Sequence, residues 1–251
     1  MLTIDFKNEL NDEQYRAVSA ADGQALVLAG AGSGKTRVLV YRVAWLINQG
    51  VVPEKILLLT FTNKAANQMM ARVQSLLGKK SNEPLSLWGG TFHSVANRLL
   101  KKYGHYLDLP SNFSIIDEED RKSLLKSISK GFWDNLGIKP APSAAVISET
   151  LSFSINAQIS LDQALEQKFI EWQPFYQYFE KIVAEYQQRK KLSHLLDFDD
   201  LLLRWYRLTL NEQALKSLQA KWDHILVDEY QDTNTLQAKI ITNLAGKNKN
   251  I

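Results

Sequence analysis

Short apolar runs, each followed by a turn and an amphipathic segment, occur near the start of the chain. Residues 26–28 lead through a glycine-rich turn into a segment with helical spacing over residues 35–47. Residues 56–59 lead into a second such segment, and Asn63 is the residue we expect to cap that helix. Two consecutive βα units predict a parallel sheet that is covered by helices.

The strand pattern is interrupted in the middle of the chain. Residues 85–93 predict a third strand and residues 225–227 a fourth, but the chain between them shows only helical periodicity. We therefore predict an α/β fold in which residues 1–93 and 195–251 form one discontinuous domain. An all-helical domain, residues 94–194, is expected to be inserted into it.

Composition excludes several classes of protein. Hydrophobic residues make up 45% of the chain and charged residues 23%, which is typical of a folded core rather than disorder. The chain has no cysteine, which excludes disulfides, thiolate zinc sites and cysteine nucleophiles. It also lacks a run of ~20 apolar residues and a secretion signal, so we expect no membrane contact and a cytoplasmic location.

The strongest chemical signal is the sequence AGAGSGKT, which has the pattern of a phosphate-binding loop between a strand and a helix. Its glycines allow a tight turn whose N–H groups face an anion, and the helix that follows adds positive charge. Lys35 is expected to reach the outer phosphates of ATP, and the Thr36 hydroxyl to bind Mg²⁺. The alternative is a plain glycine-rich turn, and Ala29 stands where the motif usually has glycine. The predicted nucleotide-binding residues of the loop are Ala29, Gly30, Ala31, Gly32, Ser33, Gly34, Lys35 and Thr36.

A pair of acids follows the fourth predicted strand, in the sequence ILVDEYQDTN. Asp228 is expected to coordinate Mg²⁺, and Glu229 to orient and deprotonate the water that attacks the terminal phosphate. Such acids can also be solvated loop residues. Combined with the phosphate loop, they predict a nucleotide-hydrolysing site whose candidate catalytic residues are Lys35, Asp228 and Glu229.

Six motifs occur in a characteristic order: LNDEQYRAV, AGAGSGKT, TFTNKAA, GTFHS, DFDDLL and DEYQDTN. In this order the chain resembles, over essentially its whole length, the first part of the superfamily 1A DNA helicases of the UvrD/Rep/PcrA type. The resemblance implies that the α/β domain is a RecA-like ATP-binding domain. It also implies ATP-driven movement along single-stranded DNA with 3′ to 5′ polarity. It also implies that Gln14 hydrogen-bonds the adenine and that Arg37 lies beside the nucleotide.

The same resemblance implies a set of DNA-binding residues. Phe61 would stack on a base, and Phe198 is a second candidate ring; each has the alternative of being a core aromatic. The residues implied to approach the DNA backbone, or the path that couples DNA to ATP, are Thr62, Asn63, Lys64, Thr91 and His93. A structural role is the alternative for His93. The basic run at residues 188–191 is expected to be a solvated face, with DNA backbone contact as its alternative.

The resemblance further implies a second motor domain and arginines that complete the ATP site. We expect residues 1–251 alone to bind ATP weakly and to hydrolyse it little, with the C-terminal motor domain as partner. Two alternatives stay open, a short non-motor ATP- or DNA-binding module and the front part of a helicase–nuclease subunit. Roles in DNA repair and in DNA replication both fit.

Overall fold

The computed structural model describes residues 4–30, 32–78, 85–246 and 250–251. It divides into two compact units. The sheet unit comprises Met1–Val95, Thr209–Thr233 and Ile241–Ile251, and the helical unit comprises Ala96–Leu208 and Asn234–Ile240. The helical unit thus includes residues 195–208 and 234–240, which the sequence prediction gave to the α/β domain. The domain boundaries predicted from the sequence stay a proposal.

Helices predominate in both units. The α-helices, in chain order, are α1 (Phe6–Glu9), α2 (Asp12–Val18), α3 (Lys35–Asn48), α4 (Asn63–Leu76), α5 (Phe92–Tyr103), α6 (Glu118–Leu136), α7 (Ala144–Ala157), α8 (Leu161–Lys168), α9 (Tyr176–Leu192), α10 (Phe198–Leu210), α11 (Glu212–Lys221) and α12 (Thr235–Ala245). The strands are β1 (Ile56–Thr60), β2 (Trp88–Thr91), β3 (Ser114–Ile115), β4 (Leu195–Leu196) and β5 (His224–Val227). None of the helices in the described ranges is both long enough and apolar enough to cross a lipid bilayer.

The sheet unit is built on three parallel strands in the order β2-β1-β5. Strand β1 is central, and all five of its residues are buried. Leu58 pairs with Gly89 on one side and with Leu226 on the other. A continuous apolar run suits this position, because helices cover both faces of a central parallel strand. The α/β fold with a parallel sheet is therefore confirmed.

The first strand predicted from the sequence, residues 26–28, is absent. Leu26 is 68% exposed and Leu28 is 85% exposed, and the segment has no strand assignment. Its neighbour Ala25 donates a backbone hydrogen bond to the carbonyl of Ile251, at 2.8 Å. An apolar run forms a strand only when a neighbouring strand offers backbone hydrogen bonds. In the described residues, the backbone hydrogen bonding between these two segments ends at Ala25.

Two other element boundaries differ from the sequence prediction. Strand β2 covers only four residues of the nine predicted at 85–93, and α5 begins at Phe92, so His93 lies in a helix. Thr62, not Asn63, caps α4: its backbone is extended and its hydroxyl accepts a hydrogen bond from the Ala65 N–H. A threonine hydroxyl accepts a hydrogen bond from a free helix N–H as an asparagine side chain does. The sequence therefore placed the capping residue to within one position.

The core of the helical unit is formed mainly by α6, α7, α8 and α9. Its buried members include Leu125, Trp133, Ile147, Leu165, Phe179, Ile182 and Tyr186. The unit is not purely helical, which corrects the prediction of an all-helical insertion. Strands β3 and β4 pair in parallel over two residues each, with Ser114 opposite Leu195. Two-residue strands have no periodicity to detect, so only the folded chain shows this pair.

The basic run at residues 188–191 is not a uniformly solvated face, because Lys190 is only 1% exposed. Its Nζ lies 2.6 Å from Oδ2 of Asp197 and also contacts the carboxylate of Asp200. The Tyr186 hydroxyl donates to Asp197 at 2.8 Å, and Arg121 Nη1 lies 2.6 Å from Oδ2 of Asp199. The three aspartates of the DFDDLL motif therefore all take part in buried ion pairs.

Candidate functional site

The phosphate loop folds as a tight turn that depends on glycine at two positions. Gly32 and Gly34 have φ angles of 76° and 88°, in the left-handed region that disfavours side chains. A Cβ at Gly34 would also lie 2.9 Å from Nε2 of Gln14, so a side chain there would collide with its neighbour. The turn is closed by Ser33, whose hydroxyl donates to the Gly30 carbonyl at 2.7 Å. Ala31, also predicted for this loop, lies outside the described residues.

Lys35 begins α3, directly after the loop. Its Nζ donates to the Ala29 carbonyl at 3.1 Å, a contact with a neutral partner that a phosphate could replace. Thr36 follows on the same helical turn and is half-buried. The start of a helix presents free N–H groups and a partial positive charge, so the loop has the chemistry of an anion site.

Gln14 is held against the phosphate loop by a capping box at the start of α2. The Asn11 side chain accepts from the Gln14 N–H at 2.8 Å, and the Gln14 side chain accepts from the Asn11 N–H at 3.3 Å. The other end of the same amide, Nε2, donates to the Ser33 carbonyl at 3.0 Å. The structure thus brings together Gln14 and the loop, which lie far apart in sequence.

Arg37 is directed towards α1. Its guanidinium donates to the Glu9 carbonyl at 2.7 Å and to the Tyr41 hydroxyl at 3.3 Å. It also lies 5.0 Å from the centre of the Tyr41 ring, within cation–π range. Arg37 therefore has structural partners in this conformation, and its place beside a nucleotide stays a prediction.

Asp228 follows β5 and is 7% exposed. Its backbone N–H donates to the Leu59 carbonyl at 2.9 Å, which extends the pairing with β1 by one residue. Burial raises the pKa of the Asp228 carboxyl and the charge of Glu229 adds to this, while Lys35 acts in the opposite direction. Positive charge therefore favours the ionised form of this carboxyl, and a bound cation would stabilise that form further.

Glu229 has a φ of 48°, a left-handed conformation that is uncommon outside glycine. Its carboxylate accepts a hydrogen bond from the Gln231 side-chain amide. Such a backbone persists only where the surroundings impose it, and it is frequent at functional sites. The sequence prediction did not single out Gln231, although it lies inside the DEYQD motif; only the fold shows that its side chain contacts Glu229.

One cavity of 810 Å³ in the sheet unit is lined by residues of both motifs, including Ala29, Lys35, Asp228, Glu229 and Gln231. No cluster of three His, Cys, Asp or Glu side chains that could hold a metal alone occurs in the ranges that the structure covers. The Thr36 hydroxyl and the Asp228 carboxylate are hard oxygen donors, which fit Mg²⁺ when phosphate oxygens and water supply its other ligands. The residues present therefore fit a magnesium nucleotide.

Asp228→Asn is expected to raise the melting temperature of the nucleotide-free chain, measured at pH 7 in EDTA. The pKa of Asp228 is raised in the folded state, so its ionised form costs stability at neutral pH, and an amide removes that cost. The same variant is expected to lose the Mg²⁺-dependent part of nucleotide binding. Asp223→Asn, an exposed change before the same strand, is the control; an equal melting temperature in both variants would contradict a strained buried charge at Asp228.

The residues implied for DNA binding after β1 form a polar group around one ring. Phe61 is half-buried, and its ring centre lies 5.7 Å from that of the buried Phe92. The Thr62 hydroxyl caps α4, and Asn63 and Lys64 are exposed at the start of this helix. The Phe61 ring therefore packs against a buried ring and stays partly exposed, which is compatible with a stacking platform.

The remaining residues implied to bind DNA differ in their exposure. Thr91 is buried, and its hydroxyl accepts from the Ser94 N–H at 3.2 Å, so it joins β2 to α5. His93 is half-buried in the first turn of α5. Phe198 begins α10 in the helical unit and is 47% exposed, so it is not a buried core aromatic.

A parallel sheet, a glycine-dependent phosphate loop at the start of a helix and a buried acid facing the same cavity define a P-loop nucleotide-binding protein. The family model described as UvrD/REP helicase N-terminal domain matches residues 10–251. The chain belongs to this family, which confirms the resemblance seen in its six motifs.

The chain is also similar to curated DNA helicases. The chain is 41% identical over 243 residues to DNA helicase II of Escherichia coli strain K12, covering 95% of this chain and 32% of the relative. It is 41% identical over 244 residues to DNA helicase II of Haemophilus influenzae, with the same shares of both chains. It is 36% identical over 250 residues to ATP-dependent DNA helicase PcrA of Staphylococcus aureus strain Mu50, covering 97% of this chain and 32% of the relative. The chain thus spans about a third of the length of these relatives.

Proposed function

We propose that this chain is the ATP- and single-stranded-DNA-binding part of an ATP-dependent 3′ to 5′ DNA helicase. The observation that carries the proposal is that Lys35 and Asp228 line the same cavity. A cation and a buried carboxylate across one opening suit a magnesium triphosphate. The relatives' names, DNA helicase II and ATP-dependent DNA helicase PcrA, support the same activity.

On the ATP side, we assign a role to each residue of the predicted site. The loop N–H groups and Lys35 bind the phosphates, Thr36 and Asp228 hold Mg²⁺, and Gln14 recognises the adenine. When bound, Mg²⁺ neutralises charge on the phosphates. Glu229 accepts the proton of the attacking water, and its hydrogen bond from Gln231 fixes the carboxylate in place for that step.

On the DNA side, the sheet supplies a link between the two ligands. Phe61 and Asp228 follow β1 and β5, which are hydrogen-bonded neighbours, and the Asp228 N–H bonds to Leu59 two residues before Phe61. Ligands of open parallel sheets gather at this edge, beyond the carboxyl ends of the strands. A shift of Asp228 on nucleotide binding would therefore reach the base-stacking ring through one ladder hydrogen bond.

Phe61→Ala is expected to weaken binding of a single-stranded oligonucleotide by about 1–3 kcal/mol and to leave the affinity for ATP unchanged. The variant removes the stacking ring but no group of the phosphate loop. Fluorescence anisotropy with a labelled oligothymidylate, and calorimetry with a non-hydrolysable ATP analogue, measure the two affinities.

Phe61→Tyr is the matched variant, because it keeps an aromatic face. It is expected to retain oligonucleotide binding close to that of the unchanged chain. Equal losses in the alanine and tyrosine variants, or no loss in either, would contradict a stacking role for this ring.

A further inference from the structure

Asn234, the last residue of the DEYQDTN motif, begins a series of side-chain hydrogen bonds within the helical unit. Its Nδ2 donates to Oδ1 of Asn156 at 2.8 Å, and Asn156 Nδ2 donates to Oδ1 of Asp199 at 3.0 Å. The other oxygen of Asp199 accepts from Arg121 at 2.6 Å and from the Ser152 hydroxyl. We call Asn234, Asn156 and Asp199 the amide network.

The charge of Asp199 fixes the direction of each bond in the amide network. A carboxylate that is paired with a guanidinium offers only acceptor oxygens, so the NH₂ group of Asn156 has to face it. The Asn156 oxygen is then left to accept, and position 234 has to supply a donor. Asparagine supplies this donor, whereas an aspartate of nearly the same shape would place two acceptors against each other.

Asn234 also caps α12, and this second role uses a different atom. Its Oδ1 accepts from the Gln237 N–H at 2.8 Å, and its own N–H donates to the Gln237 side chain at 3.1 Å. Aspartate caps a helix as well as asparagine does, because the cap requires only the side-chain oxygen. The amide network requires the NH₂ group, so the two roles can be separated by substitution.

The residues just before Asn234 form a hydrogen-bonded turn that includes Glu229. The Asp232 N–H donates to the Glu229 carbonyl at 2.9 Å, and the Thr233 N–H donates to the Tyr230 carbonyl at 3.1 Å. The Thr233 hydroxyl donates to the same carbonyl at 2.7 Å. Glu229 has a left-handed backbone, and such a conformation persists only where its surroundings restrain it. The turn provides that restraint as long as its own end is held.

We propose that Asn234 and Asn156 are positioning residues for Glu229, because their hydrogen bond holds the end of the turn that carries this carboxylate. Loss of the donor at position 234 frees the end of the turn, and Glu229 relaxes towards the more populated backbone regions. The importance of this for ATP hydrolysis rests on the proposed function, in which Glu229 accepts the proton of the attacking water. The restraint on the turn does not depend on that role.

Asn234→Asp is the sharpest test, because it keeps the oxygen that caps α12 and removes only the donor. Hydrogen exchange of the Asp232 amide, measured by NMR, is expected to become about tenfold faster. The coupling constant between the amide and α protons of Glu229 is expected to leave the range of a left-handed residue. Asn156→Ala, which removes the acceptor, is expected to give the same two results. Unchanged Asp232 exchange in Asn234→Asp would overturn the proposal.

Ser152→Ala is the matched control. It removes a hydrogen bond to the same carboxylate, that of Asp199, and leaves the bond between Asn234 and Asn156 in place. Asp232 exchange is expected to stay unchanged in this variant. An acceleration equal to that of Asn234→Asp would indicate a general loosening of the helical unit and would also overturn the proposal.

A double-mutant cycle and a binding measurement complete the test. Asn234→Asp is expected to have no further effect in a chain that already carries Asn156→Ala, because the bond is already lost; additive effects would contradict the amide network. Calorimetry with a non-hydrolysable ATP analogue is expected to give the same affinity for Asn234→Asp and the unchanged chain. Failure of the unchanged chain to bind the analogue, with Asp232 still responding to Asn234→Asp, would refute the proposed function and support the restraint. Binding without that response would overturn the restraint alone.

Discussion

Lys190→Met is expected to lower the free energy of unfolding by about 3–5 kcal/mol. The Lys190 ammonium is buried and bonds two carboxylates at once, those of Asp197 and Asp200. Burial alone would raise the pKa of Asp197, but the charges of Lys190 and Arg121 outweigh it and hold that pKa below its ordinary value. Burial, followed by the charge of Asp197, raises the pKa of Asp200. Without the ammonium, two buried carboxylates would lose the cation that they share.

Urea denaturation of Lys190→Met beside Lys191→Met measures this cost. Lys191 is the exposed next residue of the same helix, and its replacement is expected to change stability by less than about 0.5 kcal/mol. Because the pKa of Asp197 is lower in the folded chain than in the unfolded chain, its ionised form stabilises the fold at neutral pH. This stability is lost as the pH falls through the folded-state pKa. The deficit of Lys190→Met is therefore expected to shrink in acid. Equal effects of the two substitutions at pH 7 would contradict the buried network.

Lys35→Ala is expected to weaken binding of magnesium ATP by at least about tenfold for each charge-assisted hydrogen bond lost, at about 1.5–3 kcal/mol per bond. The fold should change little, because the lysine bonds only one neutral carbonyl, that of Ala29, in the ligand-free chain. Calorimetry with a non-hydrolysable analogue measures the affinity, and far-ultraviolet circular dichroism checks the helical content.

Lys216→Ala is the control for overall charge. Lys216 is an exposed lysine of the sheet unit that pairs with Glu212 at a distance of 2.7 Å, and its removal is expected to leave ATP affinity unchanged. Unchanged affinity in Lys35→Ala would remove the central residue of the proposed ATP site.

Local patterns were sufficient wherever the folded feature depends on neighbouring residues. Strands β1 and β5, helices α3 and α4 and the phosphate loop were predicted from apolar runs, helical spacing and glycines, and they form close to those positions. The motifs that carry the family resemblance are of the same kind. For Gln14 the resemblance implied a nucleotide contact, and the capping box with Asn11 shows how that side chain reaches the loop.

Non-local features needed the folded chain. Residues 26–28 have the apolar pattern of a strand, but a strand also requires partners, and residues 250–251 supply only the first of them. Lys190 lies in a run of polar residues, yet its side chain is buried against Asp197 and Asp200, which follow the end of its helix. The contact between Gln231 and Glu229 depends on the left-handed backbone at Glu229, which no residue type at that position indicates.

By itself, the sequence determined the family, the α/β class, the phosphate loop and the acids that accompany it, because these depend on short-range spacing and on residue chemistry. Only the tertiary structure decided which strands pair and which lysine is buried. Hydrogen-bond ladders and desolvated charges are set by segments distant in sequence, and their free energies exist only once those segments meet.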